Sequence, residues 1–187
     1  MGPLLKILRF FIENKGQASI NALAGKLGMN YRIAYYGVKE LEKEGLIAVK
    51  RLGNSNQCSL SYGFNDKVLL VENMRKEELL KNTDISIIND QLEDVENPLF
   101  ICLVFGSYAS SKQKKNSDID ICVIAEEKTS EEVKRAIRGH PVKTHILAFT
   151  PREFKAMMKT TEENVGKEIK RMNVILNGTE EYYRMNR

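Results

Sequence analysis

Two aspartates, Asp118 and Asp120, stand one residue apart at the head of an apolar run, residues 119–124. The dipeptide Gly106-Ser107 ends an earlier apolar run, residues 99–105, and ten residues separate it from Asp118. Both runs have the length and the β-branched or aromatic content of strands. In a strand, residues i and i+2 share a face, so Asp118 and Asp120 project together while Ile119 and Ile121 enter the core. Two adjacent carboxylates repel unless a cation lies between them, and hard oxygen donors suit Mg²⁺ or Mn²⁺. Gly106-Ser107 is placed to open a short helix whose free N–H groups hold phosphate. The expected chemistry is a phosphate cradle facing a metal-binding acidic pair.

Gly106-Ser107, ten residues, then Asp118-Ile119-Asp120 resembles the motif of the nucleotidyltransferases of the DNA polymerase β superfamily, in particular their minimal branch; Ser117 also fits. An ordinary turn with the aspartates capping a strand is the alternative, but the joined spacing is more specific than either half alone. The resemblance covers about residues 85–187, with its specificity in 106–120. It implies an NTP as substrate or ligand, with phosphates at Gly106, Ser107 and Lys112, and a divalent cation on Asp118 and Asp120. Lys112, Lys114 and Lys115 either meet the triphosphate or a nucleic-acid product, or form a solvated basic loop. Family members commonly carry Arg-Gly after the alanine of the turn, where this chain has Ser110-Ser111.

The resemblance also implies a third carboxylate on a third strand, expected over residues 142–149 after Pro141. Residues 142–150 contain no Asp or Glu, and His145 and Lys143 are the nearest polar candidates. A neutral imidazole can act as a base or contact phosphate, so Asp118, Asp120 and His145 form the catalytic candidates. A cation at Lys143 would instead compete with metal. Glu153 follows Thr150-Pro151 in a capping-box arrangement, which explains it structurally. A polar helix over 131–138, a helix over 162–172, a short strand over 173–178 and a closing helix over 180–187 complete this region.

The first third has a different pattern. Apolar residues at helical spacing over 3–14, a short helix from Ile20 capped by Ser19, and a longer helix from Tyr31 capped by Asn30 are followed by two strands, 46–51 and 57–62, around the turn Gly53-Asn54-Ser55-Asn56. That order, with the exit Leu41-Glu42-Lys43-Glu44-Gly45, resembles the winged helix-turn-helix of transcription regulators. On the third helix, Ala34, Val38 and Leu41 fall toward the core. Arg32, Tyr35, Tyr36, Lys39 and Lys43 fall on the other side, where a recognition helix meets the major groove, and Lys50 and Arg51 lie at the wing. A solvated helix face on a dimerising module is the alternative.

Charge supports the DNA reading. The chain carries a formal +4, yet residues 1–62 hold 9 Lys/Arg against 4 Asp/Glu, while residues 63–187 hold 20 against 21. The positive excess lies entirely in the first third, which suits a polyanionic partner. Three isolated cysteines and two histidines argue against a structural zinc site, and Cys102 and Cys122 read as core residues. No apolar stretch is long enough to span a bilayer and no signal peptide is evident, so a cytoplasmic location without membrane contact is expected.

The expected fold is α+β in two domains: a winged helix-turn-helix over 1–62, a helical connector over 63–84, and a small mixed-sheet nucleotidyltransferase fold over 85–187. Three functions fit. One is a homodimeric DNA-binding regulator whose second domain binds NTP and Mg²⁺, with transfer weakened by the missing carboxylate. Another is an active, antitoxin-like transferase moving NMP from an NTP to a protein, such as a toxin partner, or to a small molecule. The third is a non-catalytic interaction module.

Overall fold

The computed structural model describes residues 1–53, 55–114, 117–139 and 143–187. Asn54, Lys115, His140, Pro141 and Val142, which figure in the reading above, lie outside the described residues. The fold is mixed α+β with two sheets. The chain divides into two compact units, Met1–Val71 with Asn186–Arg187, and Glu72–Met185.

The first unit runs α1 (Pro3–Asn14), β1 (Ala18–Ser19), α2 (Ile20–Leu27), α3 (Tyr31–Lys43), β2 (Ile47–Leu52) and β3 (Ser55–Leu60), and then begins α4 (Asp66–Leu79). Pro3 starts α1, where a missing N–H costs nothing. The side chains of Ser19 and Asn30 accept hydrogen bonds from Ala22 N and Arg32 N, capping α2 and α3. Gly45, at φ +73°, ends α3 with its N–H on Glu42 O. Ile7, Leu8, Phe11 and Ile12 of α1 are buried, as are Leu23 of α2 and Ala34, Val38 and Leu41 of α3. Strand order is β1-β3-β2, all antiparallel, and pairing extends to Leu52↔Ser55, so Ser55 and Asn56 belong to β3 rather than to the expected turn.

The second unit holds α5 (Thr83–Glu93), β4 (Ile101–Phe105), α6 (Gly106–Ala109), β5 (Ile119–Ile124), α7 (Glu127–Arg138), β6 (Thr144–Phe149), α8 (Pro151–Lys159), α9 (Val165–Arg171), β7 (Asn173–Asn177) and α10 (Thr179–Asn186). Its sheet has the order β6-β5-β4-β7, with β5 parallel to β6 and β4 antiparallel to both its neighbours. Ile119, Ile121 and Val123 alternate into a core shared with Cys102 and Val104 of β4, Ile85, Ile88 and Leu92 of α5, and Val133 and Ile137 of α7. Pleat alternation therefore sends Asp120 to the opposite face. α7 begins at Glu127 rather than near 131, because its buried face opens with Thr129 and Ser130, which carry no hydrophobic signal.

A buried polar network ties α4 to the end of the chain within this unit. Tyr183 donates its hydroxyl to Glu72 Oε1 at 2.7 Å, and Arg75 reaches both Glu72 and the carbonyl of Asn173. The amide of Asn173 donates to Ile169 O and to Tyr182 Oη. Buried charge is tolerated here because each charged group has a hydrogen-bonded partner.

Candidate functional site

Gly106 stands where β4 turns into α6, at φ +68°. That conformation costs glycine nothing and an L-residue about 1–2 kcal/mol. Glycine answers a second requirement as well. A Cβ at this position would sit 2.4 Å from Asp120 Oδ2 and 3.2 Å from its Cγ. Phe105 pairs with Asp120 across β4 and β5, so the residue that leaves β4 passes directly over the carboxylate. The glycine of the upstream motif and the second aspartate are thus physically joined.

The turn after Gly106 closes on itself. The Ser110 hydroxyl lies 3.0 Å from Gly106 O and 3.1 Å from Ser107 O, and Lys112 N–H donates to Ser107 O at 2.9 Å. Tyr108 is buried and directs its hydroxyl to Ser117 O at 3.3 Å, while Lys114 N–H donates to Ser117 Oγ at 2.9 Å. Ser107 is half-buried, and Lys112 and Lys114 are exposed. Ser110 therefore shapes the loop through back-bonding, and Ser111 follows at φ 55° with its N–H on Tyr108 O.

β6 brings two basic groups to the acidic pair. Ile119 N–H bonds Lys143 O at 3.0 Å, and Asp120 is in register with His145. Lys143 Nζ lies 3.0 Å from Asp118 Oδ2, and His145 Nδ1 lies 3.3 Å from Asp120 Oδ1. The Lys143 side chain is 82% exposed and free to swing off Asp118 without unpacking anything; His145 is 58% exposed and Asp120 28%. Among the described residues, no three His, Cys, Asp or Glu side chains converge as a metal-holding group. Asp118 lies just before β5, which begins at Ile119, so only Asp120 is placed by the strand pleat; the two carboxylates are hard donors suited to a divalent cation, and the missing Cβ of Gly106 leaves room for the Asp120 carboxylate.

Two neighbouring features are structural. Thr150 caps α8 through Glu153 N–H, and Glu153 Oε2 accepts from Thr150 N–H at 2.7 Å, which holds the Glu153 carboxyl below its ordinary value. Cys102 and Cys122 are buried in the sheet, and burial pushes the Cys102 thiol up to about 12 and the Cys122 thiol higher still.

In the first unit, Arg32, Tyr36, Lys39 and Lys43 are exposed on α3 and Tyr35 is half-buried, while Lys50 and Arg51 are exposed on β2. The Arg32 guanidinium lies 5.8 Å from the centre of the Tyr36 ring, and Lys39 pairs with Glu42 at 2.7 Å. Tyr31 and Ile33, absent from the sequence-based set, are also exposed on this helix, and Tyr31 stacks on Tyr35. For Ile33 the signal was available, since it falls off the helical stripe of Ala34, Val38 and Leu41; Tyr31 continues that stripe by spacing and is exposed at the first residue of the helix.

Residues 86–146 match the family model of polymerase beta nucleotidyltransferases, a span from α5 into β6 that includes Gly106, both aspartates and His145. A polymerase-beta-type nucleotidyltransferase domain is therefore present in the chain. Neither curated proteins nor solved structures gave a match. No described helix is long and apolar enough to cross a membrane.

Proposed function

We propose, taking the polymerase-beta-type nucleotidyltransferase domain as premise, that the protein is a DNA-binding regulator whose second unit binds an NTP with a divalent cation. The observation that carries nucleotide binding is the close approach of Gly106 to Asp120: the phosphate-binding turn and the cation-binding carboxylate share one space. Asp118 and Asp120 would hold Mg²⁺ or Mn²⁺, and Gly106, Ser107 and Lys112 would meet the phosphates. The cation would supply charge neutralisation at the phosphates when bound. The exposed Lys114 adds positive charge on the same loop.

DNA binding rests on the first unit. The winged helix-turn-helix reading is supported by its element order of helix, short strand, helix, helix and β-hairpin, and by α3, on which Arg32, Tyr36, Lys39 and Lys43 are exposed and Tyr35 half-buried. Lys50 and Arg51 on β2 would reach the phosphate backbone.

An active transferase is the second reading, and the contact between His145 and Asp120 favours it. An imidazole beside the acidic pair can take a proton from an attacking hydroxyl in place of the family's third carboxylate. The acceptor would be a protein or a small molecule.

Thermal denaturation with each ribonucleoside triphosphate and Mg²⁺ or Mn²⁺ tests the first reading. Stabilisation that disappears in the Asp118→Ala/Asp120→Ala variant supports it, and the absence of any nucleotide-dependent shift refutes it. A gel-shift titration of duplex DNA across salt should lose affinity steeply and respond to Arg32→Ala. Transfer of radiolabel from an NTP to lysate components, wild type against the double variant, separates a transferase from a nucleotide-responsive regulator.

A further inference from the structure

One continuous stretch of the first unit carries no acid. From Lys15 to Lys39 the sequence holds Lys15, Lys26, Arg32 and Lys39 and neither aspartate nor glutamate. That stretch covers β1, α2, the turn after it and α3 as far as Lys39. The carboxylates of α3, Glu40 and Glu42, follow in its last turn, where Glu42 holds Lys39 at 2.7 Å. The helix is therefore divided: its N-terminal part accepts a polyanion, helped by the positive end of the dipole, and its last turn repels one. On the acid-free part, Arg32, Ile33 and Tyr36 fall within an arc of about 100° at 3.6 residues per turn. Arg32 and Tyr36 engage each other, guanidinium over ring at 5.8 Å, and the Tyr36 ring meets Tyr35 edge-on at 5.6 Å. Ile33 is 48% exposed on a helix whose other aliphatic side chains, Ala34, Val38 and Leu41, are fully buried. Isoleucine is a poorer helix former than alanine or lysine, so helix formation alone does not favour it at an exposed position. In the major groove, the apolar group that a base edge presents is the C5 methyl of thymine.

We propose that Ile33 is a specificity-determining residue for duplex DNA: the N-terminal part of α3 enters the major groove with the Ile33 side chain packed on a thymine C5 methyl. The proposal rests on the DNA-binding reading of the first unit and deepens it. Base reading is then confined to the acid-free part of α3. Lys43, which lies beyond the two glutamates, is left to the phosphate backbone together with Lys50 and Arg51.

Base-analogue substitution tests the assignment. The full chain selects duplexes from a random-sequence DNA library, and each thymine of a selected duplex is replaced in turn by deoxyuridine, which lacks only the C5 methyl. Replacement at the position under Ile33 should weaken binding about 4-fold, the worth of one buried methyl group. Ile33→Ala should bind the thymine and deoxyuridine duplexes equally, and because Ile33 is exposed the variant leaves the core intact. Lys50→Ala should weaken both duplexes by one factor, keep the methyl preference and reduce the salt dependence. Salt-dependent binding that is indifferent to every deoxyuridine, or a methyl preference that survives Ile33→Ala, would overturn the proposal and leave the DNA reading standing. Self-association that Ile33→Ala abolishes, with no methyl effect, would overturn it by assigning Ile33 to contact between two copies of the chain. Failure to select or bind any duplex would overturn both.

Discussion

Gly106→Ala is the sharpest probe of the joined turn and carboxylate. The substitution has two costs of separate origin. Holding alanine at φ +68° costs about 1–2 kcal/mol. The new Cβ would also stand 2.4 Å from Asp120 Oδ2, so the carboxylate must rotate away. Driving Asp120 off its rotamer adds about 0.5–1.5 kcal/mol and pulls Oδ1 from His145. The sum is about 2–3 kcal/mol. Gly28→Ala supplies the control, since Gly28 has φ +60° and nothing within 4 Å of a built Cβ; only the backbone cost applies there. The chain has no tryptophan, so urea unfolding is followed by far-UV circular dichroism. Combining Gly106→Ala with Asp120→Ala removes the overlap, and a double-mutant cycle should return a coupling of about 1 kcal/mol. If Gly106→Ala costs no more than Gly28→Ala and adds independently to Asp120→Ala, the reasoning fails.

Tyr183→Phe leaves buried Glu72 without one of its hydrogen bonds and should cost about 1.5–3 kcal/mol by urea unfolding, with little change in denaturant slope. Thr150→Ala removes the cap of α8 and should cost about 1 kcal/mol, while Glu153→Gln leaves Mn²⁺ binding unchanged because Glu153 serves the helix end. Alkaline titration should destabilise the fold. Burial raises Cys58 to about 11 and Cys102 to about 12 from an ordinary 9.0, and burial, then Glu72, raises Tyr183 above its ordinary 10.0. The unfolded chain therefore releases these protons first, and stability present below pH 9 falls as pH rises through the folded-state values. The same burial makes all three thiols resist a thiol reagent until the chain unfolds, which a disulfide-exchange dye reads directly.

What the sequence disclosed followed from local period and from chemistry at fixed spacing. Alternation over 118–124 placed Ile119 and Ile121 in the core, and capping signals at Ser19, Asn30 and Thr150 coincide with helix starts. Helix α7 was foreshortened because Thr129 and Ser130 occupy buried positions that hydrophobic residues usually mark. Their hydroxyls are served by Asn97 Nδ2 at 2.8 Å and by Ala125 O at 3.5 Å, which no period reveals. Strand β1, only two residues long, carries no pattern of its own and exists through its pairing with Cys58 and Gln57. His145 and Lys143 were legible as the polar candidates of the third strand, but which aspartate each one meets was not. His145 lies twenty-five positions from Asp120 along the chain, and only the parallel register of β5 and β6 sets them side by side.

That register also fixes the charge of the site. β6 sets His145 against Asp120, and Lys143, the residue before the strand, meets Asp118, where a further carboxylate would have added negative charge. With an ammonium in the site instead, the chain alone attracts a divalent cation less strongly. The same ammonium lowers the repulsion that an incoming triphosphate would meet from the aspartates. Phosphate oxygens would then supply the donors and the negative charge that the protein lacks. Cation and nucleotide should bind as a unit, each raising the affinity for the other by the same factor, since linkage is reciprocal. Lys143→Ala should strengthen cation binding without nucleotide and weaken nucleotide binding without cation, because it removes the ammonium that repels the one and attracts the other. Calorimetric titration of each ligand in the presence and absence of the other measures the factor and the two single-ligand affinities, and single-ligand affinities unchanged in Lys143→Ala would show that the lysine takes no part.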